Sequence, residues 1–553
     1  MTALLVSFVL AASSAPRYGT LDFPVTGNAE CRRLFVQGML QLHSFQYEDA
    51  HETFQAAGKA DPGCAMAFWG DAMTYSHPIW GEEQVQSARA ALAKVKDTSR
   101  LRPTERAHLA AAQALYGEGD IQERHRAWLQ ETDRSHRAFP ADDELALQHA
   151  LALMANSDGF RNTGRLMQAA AIAMDVFRRK PNHPGAAHYL IHACDTPDHA
   201  VLALPAARKY ARIAPASSHA RHMPSHIFVQ LGMWADSVAS NEDAWAASEQ
   251  WALRRKMGQA DRDYHSYSWL GASYLEQGRF GRARAVLDDI GRRMTEEDGA
   301  EVRYGYAALA RKYLADTGRW SEAKALLAVM EAPYLEKGEP EGSLGCALHS
   351  PSGGGNEVRV PVGLFARSLM QAALADAAMR AGDEPAVQAQ LAAMLQTQQA
   401  MEPWATMLSP DRAERAKLQS AAYLAATRAF RERTPERWSA AAEAMTRAAE
   451  ASEKRPPAGP AFEAPARLLV GDFLLEAGRS KEALAAYEAT LLRYPNLSRA
   501  LLGSARAAQR AGDAVTAQER YATLASQWRG ADADVPELDE VRAGARTVRT
   551  TRR

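Results

Sequence analysis

The chain has 553 residues, with 65 Lys+Arg against 66 Asp+Glu and a formal net charge of −1. That length exceeds what one hydrophobic core can organise, so several domains or one extended array of repeats is expected. The balanced charge leaves no overall field to attract nucleic acid or an anionic membrane surface, and no nucleic-acid partner is expected. Abundant Ala, short β-branched runs and regularly spaced Gly and Pro favour an all-α protein.

From the N-terminus, residues 1–15 contain an apolar run followed by small residues. The run suits a signal-peptide core and is too short to span a bilayer, although the usual basic start is missing. The expectation is a periplasmic or secreted protein if this segment is cleaved, and a cytoplasmic one otherwise. No later segment reads as transmembrane. Cys31, Cys64, Cys194 and Cys346 form no C-x-x-C pair, which excludes a zinc ribbon and a dense disulfide scaffold. Cys31 and Cys64 are placed to pair in an oxidising compartment, a question the sequence leaves open.

Residues 31–335 read as helical hairpins. "LQLHSFQYEDAHETFQAAGKADP", with Gly38 just before it, "WLGASYLEQGRFGRARAVLDDI" and "LADTGRWSEAKALL" share Gly, Ala and aromatic residues at matching offsets. A Gly/Pro/Ser-rich loop is expected over 336–362, a middle helical segment over 363–453 and a Pro-rich linker over 454–466. In 467–530, Gly478, Ala483 and Tyr487 recur 34 residues later as Gly512, Ala517 and Tyr521. The last residues, 531–553, read as a basic, solvated tail.

This period and pattern resemble the tetratricopeptide repeat (TPR) superfamily. The resemblance implies an α-solenoid of stacked helix-turn-helix units that forms a right-handed superhelix with a concave groove. It also implies the ordinary occupation of such grooves, binding of peptide or protein segments.

The histidines follow the same period. His43 and His77, His149 and His183, His188 and His222, and His192 and His226 are each 34 residues apart. Sixteen histidines placed at random in this length would give roughly 0.4 such pairs. With each unit numbered so that its first-helix glycine is position eight, His188 and His192 fall at positions five and nine of a unit starting at Pro184. His222 and His226 fall at the same positions of the next unit, which starts at Ser218. His219 and His265 are at position two, on the same stripe, and Asp195 lies one turn beyond His192. The resemblance implies that this stripe lines the groove.

Two imidazoles one helical turn apart can hold one ion, and neighbouring first helices are close enough for their ligands to converge. A single transition-metal site is therefore expected from His188, His192, His222 and His226, bordered by His219, His265 and Asp195. Imidazole with at most one carboxylate suits Zn, Cu or Fe and disfavours Mg or Ca. His43, His77, His149 and His183 are expected to line the groove away from the ion, while His108, His125, His136 and His349 read as ordinary surface or packing residues. Whether the ion is catalytic, acting on a small substrate in the groove, stays open at this stage. The competing expectation is a non-catalytic TPR scaffold that holds peptide segments with a histidine-lined groove.

Overall fold

A computed structural model describes residues 18–158, 161–331, 362–401, 412–457 and 459–546. The leader segment 1–15 lies outside them, as does nearly all of 336–362, with Cys346 and His349.

The described chain is an all-helical, TPR-like solenoid whose successive helices pack as antiparallel hairpins. The hairpins follow the sequence signature. Gly38 of helix Ala29–His43 sits where a Cβ would come within 2.7 Å of the Phe54 ring on helix Tyr47–Ala60. Gly471 meets Tyr487 in the same way in the hairpin of helices Ala466–Glu476 and Ser480–Arg493. The small residue in the first helix thus lets the second helix lay an aromatic ring across the crossing, which is why the period is written in Gly and aromatic residues. Among the described residues the departure from helix is one short antiparallel ladder, Ser76–His77 against Glu82–Glu83, which the sequence did not foreshadow.

The array does not run out as a straight rod. The C-terminal hairpins fold back on the first array: the indoles of Trp528 and Trp234 donate to the carbonyls of Glu276 and Asn496, at 3.1 and 2.9 Å. The expected solvated tail is ordered as far as residue 546. Helix Leu538–Arg546 buries Leu538 and Val541, and Glu540 accepts a bidentate pair from Arg506. The expected linker 454–466 is likewise packed, as described below.

Cys31 and Cys64 form a disulfide that ties the first helix to the start of the third, helix Ala65–Met73. The bridge closes a loop across 33 residues. A loop of that size restricts the unfolded chain by about 3–4 kcal/mol. Reduction is therefore expected to lower the melting temperature of the folded protein, with Cys31→Ser/Cys64→Ser showing the same loss and no further response to reductant. A melting temperature indifferent to reductant would show that the bridge is absent or without weight.

Candidate metal centre

Helix Pro184–Ala193 begins with His183 capping it and Pro184 in its first turn, and it presents His188 and His192 on one face. The next unit's first helix is broken. Pro224 lacks the N–H that would continue the ladder, so Ser218–His222 and Pro224–Gln230 are separate short helices, and His226 N–H reaches Met223 O instead. The third first helix, Tyr264–Glu276, carries His265 in its opening turn.

These elements gather the six histidines into two groups of three. His188, His192 and His219 bring one ring nitrogen each within 4.8 Å of one another, and His222, His226 and His265 do the same. Both groups have one plan: positions five and nine of a unit plus position two of the unit that follows. The groups adjoin, with the rings of His192 and His226 6.2 Å apart between centroids.

The single four-histidine site expected from the sequence is thus replaced by two trios, and the 219–222–226 stripe is divided between them. The physical reason lies in the stacking. A residue at position two leans toward the preceding unit, while positions five and nine of the same helix lean toward the following one.

The hydrogen bonds behind these rings fix where their lone pairs point. His188 Nδ1 lies 2.7 Å from the backbone carbonyl of His43, which can only accept, so Nδ1 carries the proton and Nε2 is bare. His226 Nδ1 donates to Asp195 Oδ2 at 2.7 Å. His222 Nδ1 donates to Asn241 Oδ1 at 2.7 Å, and the Asn241 amide is oriented because its Nδ2 donates to Ser237 O at 2.9 Å. The bare Nε2 atoms of His222 and His226 consequently face each other at 3.0 Å. His188 Nε2 faces His219 Nε2 at 2.9 Å, and His192 Nε2 is buried with no hydrogen-bond partner among the described residues. Nitrogens at these separations subtend about 90° at an ion 2.0–2.1 Å from each.

Burial disfavours imidazolium at these positions. It pulls the His188 pKa down to about 3 and that of His222 to about 4, and it holds His192 and His265 well below the ordinary histidine value, in each case helped by neighbouring imidazoles. Phe45 and Trp80 wall the first group. The Phe45 ring is 4.3 Å from His188, and Trp80 is 6.3 Å from His192. Phe45 reaches this position in the left-handed region, at φ 53°, a conformation that costs a non-glycine residue on the order of 1–2 kcal/mol. Trp269 walls the second group, 4.5 Å from His226 and 5.0 Å from both His222 and His265.

The segment expected to be a linker closes this end. Gln230 Nε2 donates to Pro457 O at 3.2 Å and to Asp195 Oδ1 at 3.0 Å. Gly459, at φ +71°, lies where a Cβ would come within 2.3 Å of the Trp269 ring, so only glycine fits there.

The remaining expected residues are placed differently. Asp195 has both carboxylate oxygens occupied, by His226 and Gln230, so it orients a ring and stands outside both trios. His43 is nearer the site than its sequence position implies, because the superhelix brings its carbonyl to His188. Its own ring meets His183 across Glu144, whose two oxygens lie 2.8 and 2.9 Å from the two imidazoles. Burial alone would raise the Glu144 pKa, but the flanking imidazoles outweigh it and hold the group well below the carboxylate range. With Tyr189 bonded to His43 Nδ1 and Ala186 N–H to His183 Nδ1, this network is saturated and serves to fix the loop that orients His188.

His77 stacks on Tyr47 at 3.9 Å and bonds Glu82, and His149 stacks on His136, so neither lines the trios. Of the histidines read as ordinary, His108 packs between Phe23 and Trp69, and His125 bonds Glu83. Sequence reasoning missed Asn241, Phe45, Trp269 and Glu144, which reach the site from other helices or turns and carry no periodic mark.

No family model and no curated protein matches this chain. Among solved structures it is similar to a human IFIT1 dimer with PPP-AAAA, at 11% identity and TM-score 0.36, covering 90% of this chain and 91% of that one. Yeast Tom70 is similar at 10% identity and TM-score 0.31, covering 88% and 98%. The Cut9–Hcn1 structure gives 10% identity and TM-score 0.32, covering 88% and 78%.

Proposed function

We propose that this solenoid is a metalloprotein holding two adjacent transition-metal ions, one in each histidine trio. The observation that carries this reading is the pair of bare Nε2 atoms of His222 and His226 at 3.0 Å. Two lone pairs at that distance repel unless a cation lies between them, and His265 completes a third ligand that a shared proton does not require. The second group of the same plan makes the centre binuclear. Zinc, copper and iron all accept imidazole nitrogen. Three protein ligands leave room at an ion for a substrate or an activated water, so the centre is built for metal-dependent chemistry on a small molecule.

Peptide docking, the competing reading, finds little support at this part of the solenoid. The residues at positions five and nine are buried, His188 at 0% exposure, and the chain's own 457–462 stretch packs at the end of the second trio. The disulfide and the apolar N-terminal run together support an exported protein.

Elemental analysis of the purified protein tests the reading. The expected result is two transition-metal ions per chain, falling to none in His188→Ala/His222→Ala with helical content retained. Trace metal in the wild type, unchanged in the double variant, would sink it.

A further inference from the structure

We infer that the two ions are copper, held as a copper(I) pair that binds dioxygen between them; this rests on the binuclear reading above. The first argument is charge. The six ligands are neutral imidazoles, and no carboxylate or thiolate belongs to either trio. Two divalent ions would bring four positive charges into a buried site whose hydrogen-bonded carboxylate is Asp195 alone, beside His226. Two copper(I) ions bring half that charge, and each uncompensated buried charge costs several kcal/mol in desolvation.

The second argument is coordination. Iron sites of this kind use a carboxylate beside two histidines, and Asp195 is committed to His226 and Gln230 instead. Three imidazoles complete the coordination of copper(I) without water, in keeping with the aromatic walls of Phe45, Trp80 and Trp269.

The third argument is pairing. Two equal trios side by side hold two electrons within reach of one diatomic molecule. Dioxygen takes one electron from each ion: two copper(I) become two copper(II), and O₂ becomes bound peroxide, O₂²⁻. No proton is needed. The dianion cancels two of the four charges then present, so the oxidised site carries the same net charge as the reduced one. The enclosing rings keep out the water that would protonate and release peroxide.

The test uses the full chain, loaded anaerobically with copper(I) or with zinc. Two equivalents of copper per chain are expected. Admission of air should produce an intense near-ultraviolet absorption, with the oxidised protein silent in electron paramagnetic resonance because the two copper(II) ions are coupled. His192→Ala, its folding checked by circular dichroism, should bind copper in the second trio only and give no such band.

Two tightly bound zinc ions, with copper-loaded protein showing no band in air, would overturn the copper assignment while leaving the binuclear reading in place. Failure of both metals to bind the wild type overturns both. A band that persists in His192→Ala overturns the bridging of dioxygen between the two groups.

Discussion

His222→Leu should remove one of the two ions and leave the metal-free chain at least as stable as the wild type. In the wild type without metal, the Nε2 atoms of His222 and His226 oppose each other at 3.0 Å in a buried site, so the apo state carries their repulsion. Leucine removes the repulsion, fills much of the same volume and adds apolar burial. The one hydrogen bond lost is to Asn241 Oδ1, and Ser225 Oγ lies within 3.4 Å to replace it. A functional site held at a cost to stability behaves in this way, whereas a structural histidine replaced by leucine costs stability.

The same variant should halve the response to metal. At free metal 100 times Kd, each site stabilises the fold by about 2.7 kcal/mol, so two sites give about 5.4 and the variant about 2.7. Asn241→Ala, which frees the His222 ring without deleting it, should keep the second ion but weaken it by about 10–100-fold. Denaturant titration with and without metal reads all of these values. A metal-free His222→Leu chain that is markedly less stable, with an unchanged metal response, would show that the trio is a hydrogen-bonded packing cluster.

The solenoid was legible because its signature is local: a small residue in one helix and an aromatic ring in the next meet within a single hairpin, as Gly38 and Phe54 do. The six clustered histidines were legible for the same reason, since they fall at fixed positions of neighbouring units. Their division into two trios was not, because it depends on which neighbour each helix face leans toward and on the break at Pro224. His219 and His265 belong to different trios although both occupy position two, and their separation of 46 residues hides their equivalence. The extra length comes from the long helix Trp234–Arg255 and the turn after it.

Phe45, Asn241 and the 457–462 stretch were illegible from periodicity because they arrive from a turn, a second helix and the far end of the chain. The short ladder at Ser76–His77 is two residues per strand, below any pattern that alternation can mark.

The capping stretch makes the second large effect predictable. Lys312 of helix Ala300–Thr317 is 1% exposed, and its ammonium reaches Glu276 Oε1 at 2.6 Å, Asp316 Oδ2 at 2.9 Å and the carbonyl of Ala461 at 3.3 Å. The two carboxylates hold it protonated against its burial. Glu276, fully buried, also accepts the Ser498 N–H at 2.7 Å through Oε2. One buried ion pair therefore joins the histidine-bearing array, the stretch beside Trp269 and the first helix of the last hairpin.

Lys312→Met fills the space of the lysine stem but leaves Glu276 without its cation. Removing one partner of such a pair costs about 3–5 kcal/mol, because the other charge remains buried. Lys312→Met/Glu276→Gln should recover most of the loss, since the uncompensated charge goes with it. Loss of the Ala461 contact loosens the stretch packed over Trp269, so the single variant should also release metal to a chelator faster than the wild type. Urea unfolding and chelator kinetics measure the two effects. A cost below about 1 kcal/mol would mean that water already reaches this pair and that the three parts are not held together here.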